Sequence, residues 1–513
     1  MKLRRAIAIG ASVTALILAT VACSTGSDGE SDEKAGGTPD PQATFRFGSP
    51  LPITDLDPQH APGAGTDTWL YPAYDRLVHL NAAGEAVPGL ATEWKFNDDA
   101  TSLELTLRPD VKFQDGEAFD AEAVKANIER GKTLEGSSVA PDLSVIEDVV
   151  VNDKLSITLN LARPSATLPL VLTGRPGAMI SPAAFSKNLK ETMVGAGMYK
   201  LTAFEPGVSA SYERNDDYWD KDKVGVAKLE FTVITSSLTG LNALRSGEID
   251  GTFLNAGNIK QAEASELKIV SKQTTEFIHL QLDRSRNEFG DVRVRQALNY
   301  AIDRNAIVKS LLSGLGEPAV QPFPPESDAS DPTIGTDYYT YDPDKARQLL
   351  AEAGLPNGFD FELVTLNIDT YVKLAEIIQA QLKEIGVNAK IRQVSDISGE
   401  CYVGQKCDSM PILWTGRPDP ALTAAALFTS TGAANPGRHS VASVEKLYTK
   451  VLGTTEPAER TSALQELSAQ ITKEALDVVV YFPFQNAAFN KSVSGFEPWM
   501  SGKPEFRDVV MMG

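Results

Sequence analysis

Reactive side chains are scarce in this sequence of 513 residues, which contains three cysteines and four histidines. The histidines are scattered, and no two stand at the spacing of metal ligands. The sequence also lacks the G-x-S-x-G turn of serine hydrolases, the H-E-x-x-H pair of zinc proteases and the C-x-x-C pair. Its many carboxylates single out no acid and base. We therefore predict no enzyme activity, no catalytic residue, no metal and no cofactor.

Positive charge is also in short supply. The sequence has 48 Lys and Arg against 68 Asp and Glu, a formal net charge of −20. Three of the basic residues, Lys2, Arg4 and Arg5, fall in a segment that we expect to be removed, which makes the exported chain more acidic still. Such a surface repels phosphate groups. We expect no nucleic-acid partner.

The remaining composition is that of a soluble globular protein, with 42% hydrophobic and 23% charged residues. A chain of this length exceeds one ordinary core, so two or three packed units are expected.

The first 22 residues read as an export signal. A basic start precedes an uncharged, mostly apolar run from Ala6 to Ala22, which Gly10 and Thr14 dilute and which is short for a bilayer span. The run ends at Cys23, and Thr20-Val-Ala-Cys23 resembles a lipobox, apart from Thr20 where leucine is usual. We predict a signal peptide at 1–22, lipidation of Cys23 and a lipid-anchored, flexible linker at 23–42, which lacks aromatic and large aliphatic residues.

The other two cysteines, Cys401 and Cys407, form an even pair in a chain expected to be exported to an oxidising compartment. A disulfide that closes a small loop is the first interpretation, and two free thiols are the alternative. Zinc is a poor alternative, because no second pair and no histidine stand beside them.

Helices and strands alternate in the second half of the sequence. Asp342 and Pro343 begin a helix that ends at Gly354, and a second helix ends at Gly386 before an alternating strand. This order indicates an α/β fold.

The stretch from Asp291 to Arg304, DVRVRQALNYAIDR, has apolar residues at helical spacing and an aspartate that can cap its start. Its amino-acid sequence closely resembles the signature helix of the family 5 extracytoplasmic solute-binding proteins, the peptide- and nickel-type receptors of bacterial ABC importers. Further segments resemble motifs of that family in the same order: Val87–Trp94, Leu107–Phe119, Gly195–Tyr199, Arg214–Trp219 and Leu244–Asp250.

The resemblance extends from about Leu56 to the C-terminus, and it implies a fold and a set of domain boundaries. The fold is the two-lobed α/β periplasmic binding protein fold, with an extra subdomain in the first lobe. The first lobe would comprise 43–277 and 480–513, with the inserted subdomain at about 70–190, and the second lobe 278–479. The chain would cross between the lobes near Phe277 and Val480.

A proline-stiffened loop, Trp414-Thr-Gly-Arg-Pro-Asp-Pro420, is the candidate ligand-binding segment. The corresponding loop of the family lies in the cleft, and dipeptide-type relatives commonly carry an acid where Arg417 stands here. Because arginine suits carboxylate and phosphate, we predict a ligand with an anionic group. The ligand is expected to stack on Trp414 and to pair with Arg417 or Asp419. The alternatives are a solvated Arg417, a core Trp414 and an Asp419 that only forms the turn.

The opposite wall of the cleft is expected to include Trp69 and Tyr71, although an apolar helix face explains them equally well. Asp303 and Arg304 are expected to be structural.

The predicted function is capture of a peptide-like solute in an interlobe cleft, outside the cytoplasmic membrane, by a lipid-anchored monomer that delivers it to an ABC permease. The alternatives are a lipid-anchored hydrolase of peptides or cell-wall fragments and a receptor that reports its ligand to a membrane sensor.

Overall fold

The computed structural model describes residues 37–61 and 64–513. The predicted signal peptide, Cys23 and most of the predicted linker lie outside the described residues. Within the described ranges, no helix combines the length and the apolar character needed to cross a membrane.

The strands are β1 (Thr44–Ser49), β2 (Val78–Leu80), β3 (Ala86–Pro88), β4 (Ala91–Phe96), β5 (Ser102–Leu107), β6 (Ile146–Asp153), β7 (Ser156–Leu161), β8 (Tyr199–Glu205), β9 (Ser209–Arg214), β10 (Lys228–Val233), β11 (Gly251–Leu254), β12 (Lys268–Gln273), β13 (Phe277–Leu282), β14 (Gly316–Pro318), β15 (Asp360–Leu366), β16 (Asn388–Val394), β17 (Ser409–Trp414), β18 (Val478–Phe489), β19 (Val493–Ser494) and β20 (Val510–Met511).

The helices are α1 (Asp67–Leu70), α2 (Ala121–Thr133), α3 (Ala140–Leu143), α4 (Leu168–Val171), α5 (Ser237–Ser246), α6 (Ala256–Glu263), α7 (Asn287–Gly290), α8 (Val292–Ala301), α9 (Arg304–Leu311), α10 (Pro343–Glu352), α11 (Asp369–Glu384), α12 (Pro420–Phe428), α13 (Ala442–Gly453) and α14 (Pro457–Lys473).

One long strand, β18, connects the two halves of a twelve-stranded sheet. Its first part pairs with β13, with Tyr481 opposite Ile278, and its second part pairs with β12, with Phe484 opposite Gln273. Pro483, which has no N–H to donate, lies where the pairing partner changes. The strand is mostly buried, as expected for an apolar run inside a sheet covered on both faces.

The chain therefore passes between the halves of the sheet twice, at residues 274–276 between β12 and β13 and again within β18. The two-lobed α/β class is confirmed. Strand pairing supports the predicted crossings near Phe277 and Val480, while the domain boundaries stay a prediction.

A separate four-stranded sheet, in the order β4-β5-β7-β6, lies within the predicted inserted subdomain. Every second residue of β5 is buried, which is the alternation expected of a half-exposed strand. Helix α2 packs beside this sheet and begins at Asp120, whose carboxylate accepts the N–H of Ala123 at 3.1 Å. This subdomain has a hydrophobic core of its own.

The stretch from Asp291 to Arg304 contains one helix and the start of a second, where one continuous helix was predicted. Asp291 caps α8 by accepting the N–H of Arg293 at 2.8 Å, but the helix ends at Ala301 because Ile302 is extended. Asp303 then caps α9 through the N–H of Ala306 at 2.9 Å. The buried Arg304 donates to the carbonyl of Val479 at 2.8 Å. Both residues are structural, as expected.

A fully buried charge cluster joins β13 to the start of β18. The carboxylate of Asp477 accepts a hydrogen bond from Arg284 at 3.0 Å and lies 2.9 Å from Nδ1 of His279. The same carboxylate accepts the N–H of Leu282 at 3.3 Å. Because all three side chains of the cluster are buried, each charge depends on its partners rather than on water.

Cys401 and Cys407 form a disulfide, with their Cα atoms 5.0 Å apart. Both residues are buried in a small apolar cluster with Val364, Ile397 and Met410. The bond closes a loop with a sequence separation of 6.

Replacing both Cys401 and Cys407 with serine is expected to lower the free energy of unfolding by about 2 kcal/mol, the loop-closure contribution of so short a loop. Urea unfolding of the double variant and of the oxidised parent measures this difference, and the parent in reductant is the control. Equal unfolding midpoints would show that the cross-link does not stabilise the fold. Alkylation of the parent followed by mass spectrometry checks that neither Cys401 nor Cys407 carries a free thiol.

Candidate functional site

A cavity of about 1000 Å³ lies between the inserted subdomain and the second lobe and is here called the main cavity. The subdomain contributes Trp94, Lys95 and Phe96 from β4. The facing wall contains Phe323, Glu326, Arg417, Thr423, Glu456 and Arg460. Thr275, from the crossing between β12 and β13, also lines the cavity. The volume suits a small molecule or a short peptide.

A second cavity of about 340 Å³ lies beside the two crossings and is here called the hinge cavity. Its lining includes Leu51 after β1, Glu276 from the first crossing, Asn486 from β18 and Lys503 near the C-terminus. Ser501 lines both cavities, so the two are adjacent.

The predicted loop after β17 separates the two cavities, because Thr415 lines the hinge cavity and Arg417 lines the main cavity. Gly416 stands between them with φ +69°, a conformation that favours glycine. A Cβ atom at this position would overlap the side chain of Thr275. The loop is thereby held directly against the first crossing.

Arg417 is exposed in the main cavity. Its guanidinium carbon lies 5.7 Å from the centre of the Trp414 ring, within the range of a cation–π contact. Within residues 37–61 and 64–513 it forms no ion pair at salt-bridge distance, so its donors are available to a ligand.

Across the cleft, Asp142 on α3 lies within electrostatic reach of Arg417. Burial raises the pKa of the Asp142 carboxyl, while the positive charges of Arg417, Arg175 and Lys503 act to lower it. Arg417 therefore faces the first lobe as well as the second.

Trp414 is half-buried and lies beneath Arg417 rather than on a cavity wall. Its indole N–H donates to the hydroxyl of Thr423 at 3.0 Å, which ties the loop to α12. The tryptophan positions the arginine, and the structure does not bring its ring to either cavity.

Asp419 is fully buried. Its carboxylate caps α12 by accepting the N–H of Ala421 at 2.8 Å and pairs with Arg460 at 2.7 Å. Both partners of the carboxylate belong to the protein itself. The position of Asp419 therefore agrees with the alternative interpretation, in which this residue only forms the turn. A direct ligand contact is not seen.

Trp69 and Tyr71 are in the core of the first lobe rather than on the wall of the cleft. The Trp69 ring is fully buried, and its indole N–H donates to the carbonyl of Leu51 at 3.2 Å. The Tyr71 ring lies under the guanidinium of Arg76, with its centre 3.9 Å from the guanidinium carbon. Leu51, the partner of this hydrogen bond, lines the hinge cavity, whereas Trp69 itself lines neither cavity.

Sequence reasoning missed Glu276 and Lys503. Neither belongs to a motif, and the hinge cavity combines segments that are far apart in the chain, from Ser49 to Lys503. One local feature could have pointed to Glu276, namely its position just before Phe277, where a crossing between the lobes was predicted.

The described residues contain no cluster of three or more His, Cys, Asp or Glu that could hold a metal ion. The site instead offers an arginine, further ionic groups, hydroxyls and aromatic faces, which is the chemistry of recognition.

A sequence model described as bacterial extracellular solute-binding proteins, family 5 Middle, matches residues 85–436. The glutathione-binding protein GsiB of Salmonella paratyphi A is 28% identical over 472 residues, which cover 86% of this chain and 90% of that protein. GsiB of Escherichia coli K12 is 27% identical over 474 residues, which cover 86% and 90%.

Solved structures of other proteins have the same fold as this chain. HbpA2 from Haemophilus parasuis superposes with a TM-score of 0.81 at 23% identity and covers 92% of this chain and 100% of its own. The binding protein AgaA of A. tumefaciens R10, in complex with agropinic acid, superposes with a TM-score of 0.77 at 25% identity, with 92% and 99% covered.

Proposed function

Because the chain belongs to the family 5 bacterial extracellular solute-binding proteins, we propose that it captures a short, anionic peptide or peptide-like solute outside the membrane and delivers it to an ABC permease. The ligand binds in the main cavity, and the hinge cavity extends the site. The chain makes and breaks no bond, and a separate subunit hydrolyses ATP.

The observation that carries this proposal is the exposed guanidinium of Arg417 on a large cavity between the lobes. An arginine without an ion-pair partner, placed over an aromatic ring, is suited to a bidentate contact with a carboxylate. Because Gly416 holds the loop against the crossing, the guanidinium is placed before the ligand arrives.

Glutathione is the first candidate ligand. The curated relatives GsiB are named for binding it, and it carries two carboxylates for a single ammonium. Its extra carboxylate matches an arginine where dipeptide-type relatives carry an acid.

Closure of the lobes follows from the position of the site. A ligand that contacts both walls binds the closed arrangement more strongly than the open one and shifts the population towards it. The closed form is the one that docks on the permease. Lipidation of Cys23, the monomeric state and attachment to the outer face of the cytoplasmic membrane complete the proposal.

Thermal unfolding of the purified protein with glutathione, glutathione disulfide, trialanine and nickel–histidine tests this function. A ligand at one hundred times its Kd adds about 2.7 kcal/mol to the stability of the folded state. We expect the melting temperature to rise with the concentration of glutathione or its disulfide and to stay unchanged with trialanine.

The recovered solute is then analysed by mass spectrometry. Intact peptide supports a binding protein, whereas cleaved peptide would favour the hydrolase alternative. A melting temperature that none of the peptides changes would contradict a peptide-binding function.

A further inference from the structure

The hinge cavity carries one negative and one positive side chain, those of Glu276 and Lys503, among the described residues that line it. The other polar side chains that line it are uncharged and able to form hydrogen bonds, and they include Ser49, Thr235, Asn255, Thr415, Asn486 and Ser501. A small cavity with opposite charges is suited to a dipolar group rather than to an apolar side chain or a single ion.

The carboxylate of Glu276 accepts no hydrogen bond from, and forms no salt bridge with, the part of the chain that the structure describes. The positive charge that acts on it is that of Lys503. Burial raises the pKa of the Glu276 carboxyl to about 7, against the opposing effect of Lys503. A half-buried carboxylate without a hydrogen-bond partner among the described residues gains most from a ligand that brings its own positive charge and N–H donors.

Lys503 retains donors for a ligand. Its ammonium lies 3.0 Å from Asp67, and an ammonium has three protons to donate. Asp67 also pairs with Arg175 at 3.3 Å, so this carboxylate is shared between two cations. Lys503 therefore shares its carboxylate partner with Arg175 and keeps protons for a ligand.

From these contacts we propose that the hinge cavity binds the free α-amino-acid head of a γ-linked peptide, with the ammonium at Glu276 and the α-carboxylate at Lys503. The inference rests on the proposed function and narrows its substrate class. Arg417, on the other side of Gly416, then receives the far carboxylate in the main cavity.

Whether the peptide is γ-linked or α-linked decides whether both Glu276 and Lys503 find a partner of opposite charge on the ligand. In γ-Glu-Cys-Gly the ammonium and a carboxylate share one carbon atom, whereas in the isomer α-Glu-Cys-Gly that carboxylate has become the first peptide bond. The two isomers have equal mass and charge. The α isomer leaves Lys503 without its carboxylate.

The pH dependence has a definite sign. Glu276 must be ionised to hold an ammonium, so the affinity rises as the pH increases through about 7 and levels off above it. Among the described residues, two ionisable groups face Glu276. One is the ammonium of Lys503, which pairs with Asp67. The other is the hydroxyl of Tyr371 on α11, whose pKa is raised by burial and further by Glu276. Because its pKa is raised above the ordinary value, Tyr371 stays neutral across this range.

Calorimetric titration of both isomers at pH 6 and pH 8 tests the inference, with the parent, Glu276→Gln and Lys503→Met. At pH 8 the parent is expected to bind the γ isomer at least about tenfold more tightly, and either substitution to weaken it about 10- to 100-fold, the cost of a charge-assisted hydrogen bond. Lys503→Met is expected to leave the α isomer unaffected. Glu276→Gln is expected to abolish the change in affinity between pH 6 and pH 8.

Glu317→Gln is the matched control, since Glu317 is another glutamate whose pKa burial raises and it lies outside both cavities. It should bind like the parent. Equal affinities for the two isomers, with both cavity variants binding like the parent, would overturn the hinge-cavity inference and leave the proposed function intact. If the parent binds neither isomer, the hinge-cavity inference is also overturned, and the thermal-unfolding panel of peptides decides the proposed function separately.

Discussion

Replacing Arg417 with alanine is expected to weaken the binding of glutathione by about 30- to 1,000-fold, which corresponds to about 2 to 4 kcal/mol. The guanidinium has no ion-pair partner in the described part of the chain, and it lies over the Trp414 ring at the edge of the main cavity. When the lobes close, the ligand's carboxylate loses its water, and without Arg417 the loop after β17 supplies no cation to replace it. Calorimetric titration of the purified variant measures the loss.

The comparison of Arg417→Ala with Arg417→Lys separates charge from geometry. Lysine keeps the charge but not the two parallel donors, so its affinity should lie between those of the parent and the alanine variant. Arg245→Ala is the control, because Arg245 lies on α5 outside both cavities and bonds only to Ser265 and Gln261 among the contacts described. If Arg417→Ala binds glutathione as tightly as Arg245→Ala, Arg417 is a solvated loop residue.

The second large effect is on stability. Replacing Asp477 with alanine is expected to lower the free energy of unfolding by about 3 to 5 kcal/mol, because Arg284 then stays buried without the carboxylate it pairs with. His279 and the N–H of Leu282 lose their acceptor as well. Guanidinium unfolding monitored by circular dichroism measures the change.

An exposed pair provides the control for Asp477. Asp360 pairs with Lys390 at 2.7 Å on the surface, and surface pairs contribute about 0 to 1 kcal/mol. Asp360→Ala should therefore unfold close to the parent. A loss of less than about 1 kcal/mol in Asp477→Ala would show that the buried cluster is not a main source of stability.

Local features of the fold were predictable from the sequence because the residues that determine them are adjacent in the chain. Asp342 and Asp291 were each predicted to begin a helix, and each accepts a backbone N–H at the predicted position. The helix through Arg304 was predicted too long. Its apolar spacing continues past Ala301, and nothing in the sequence shows that Asp303 caps a new helix.

The site was predictable only in part. The loop after β17 does reach the cavities, but of the residues singled out in it only Arg417 lines one. Asp419 was chosen for its charge, and burial with Arg460 decides its role instead. Glu276 and Lys503 stand 227 positions apart in the printed sequence, so no spacing rule relates them.

The continuous strand β18 limits how this protein can vary in length. Ordinary linkers between domains tolerate insertions, but Val478–Phe489 is paired on both sides of Pro483 and belongs to both lobes at once. Side chains in a strand alternate between faces, so a single inserted or deleted residue near Pro483 would turn every later side chain of β18 to the opposite face. Of the two crossings between the lobes, the one within β18 is thus a stretch that tolerates substitution but not insertion or deletion.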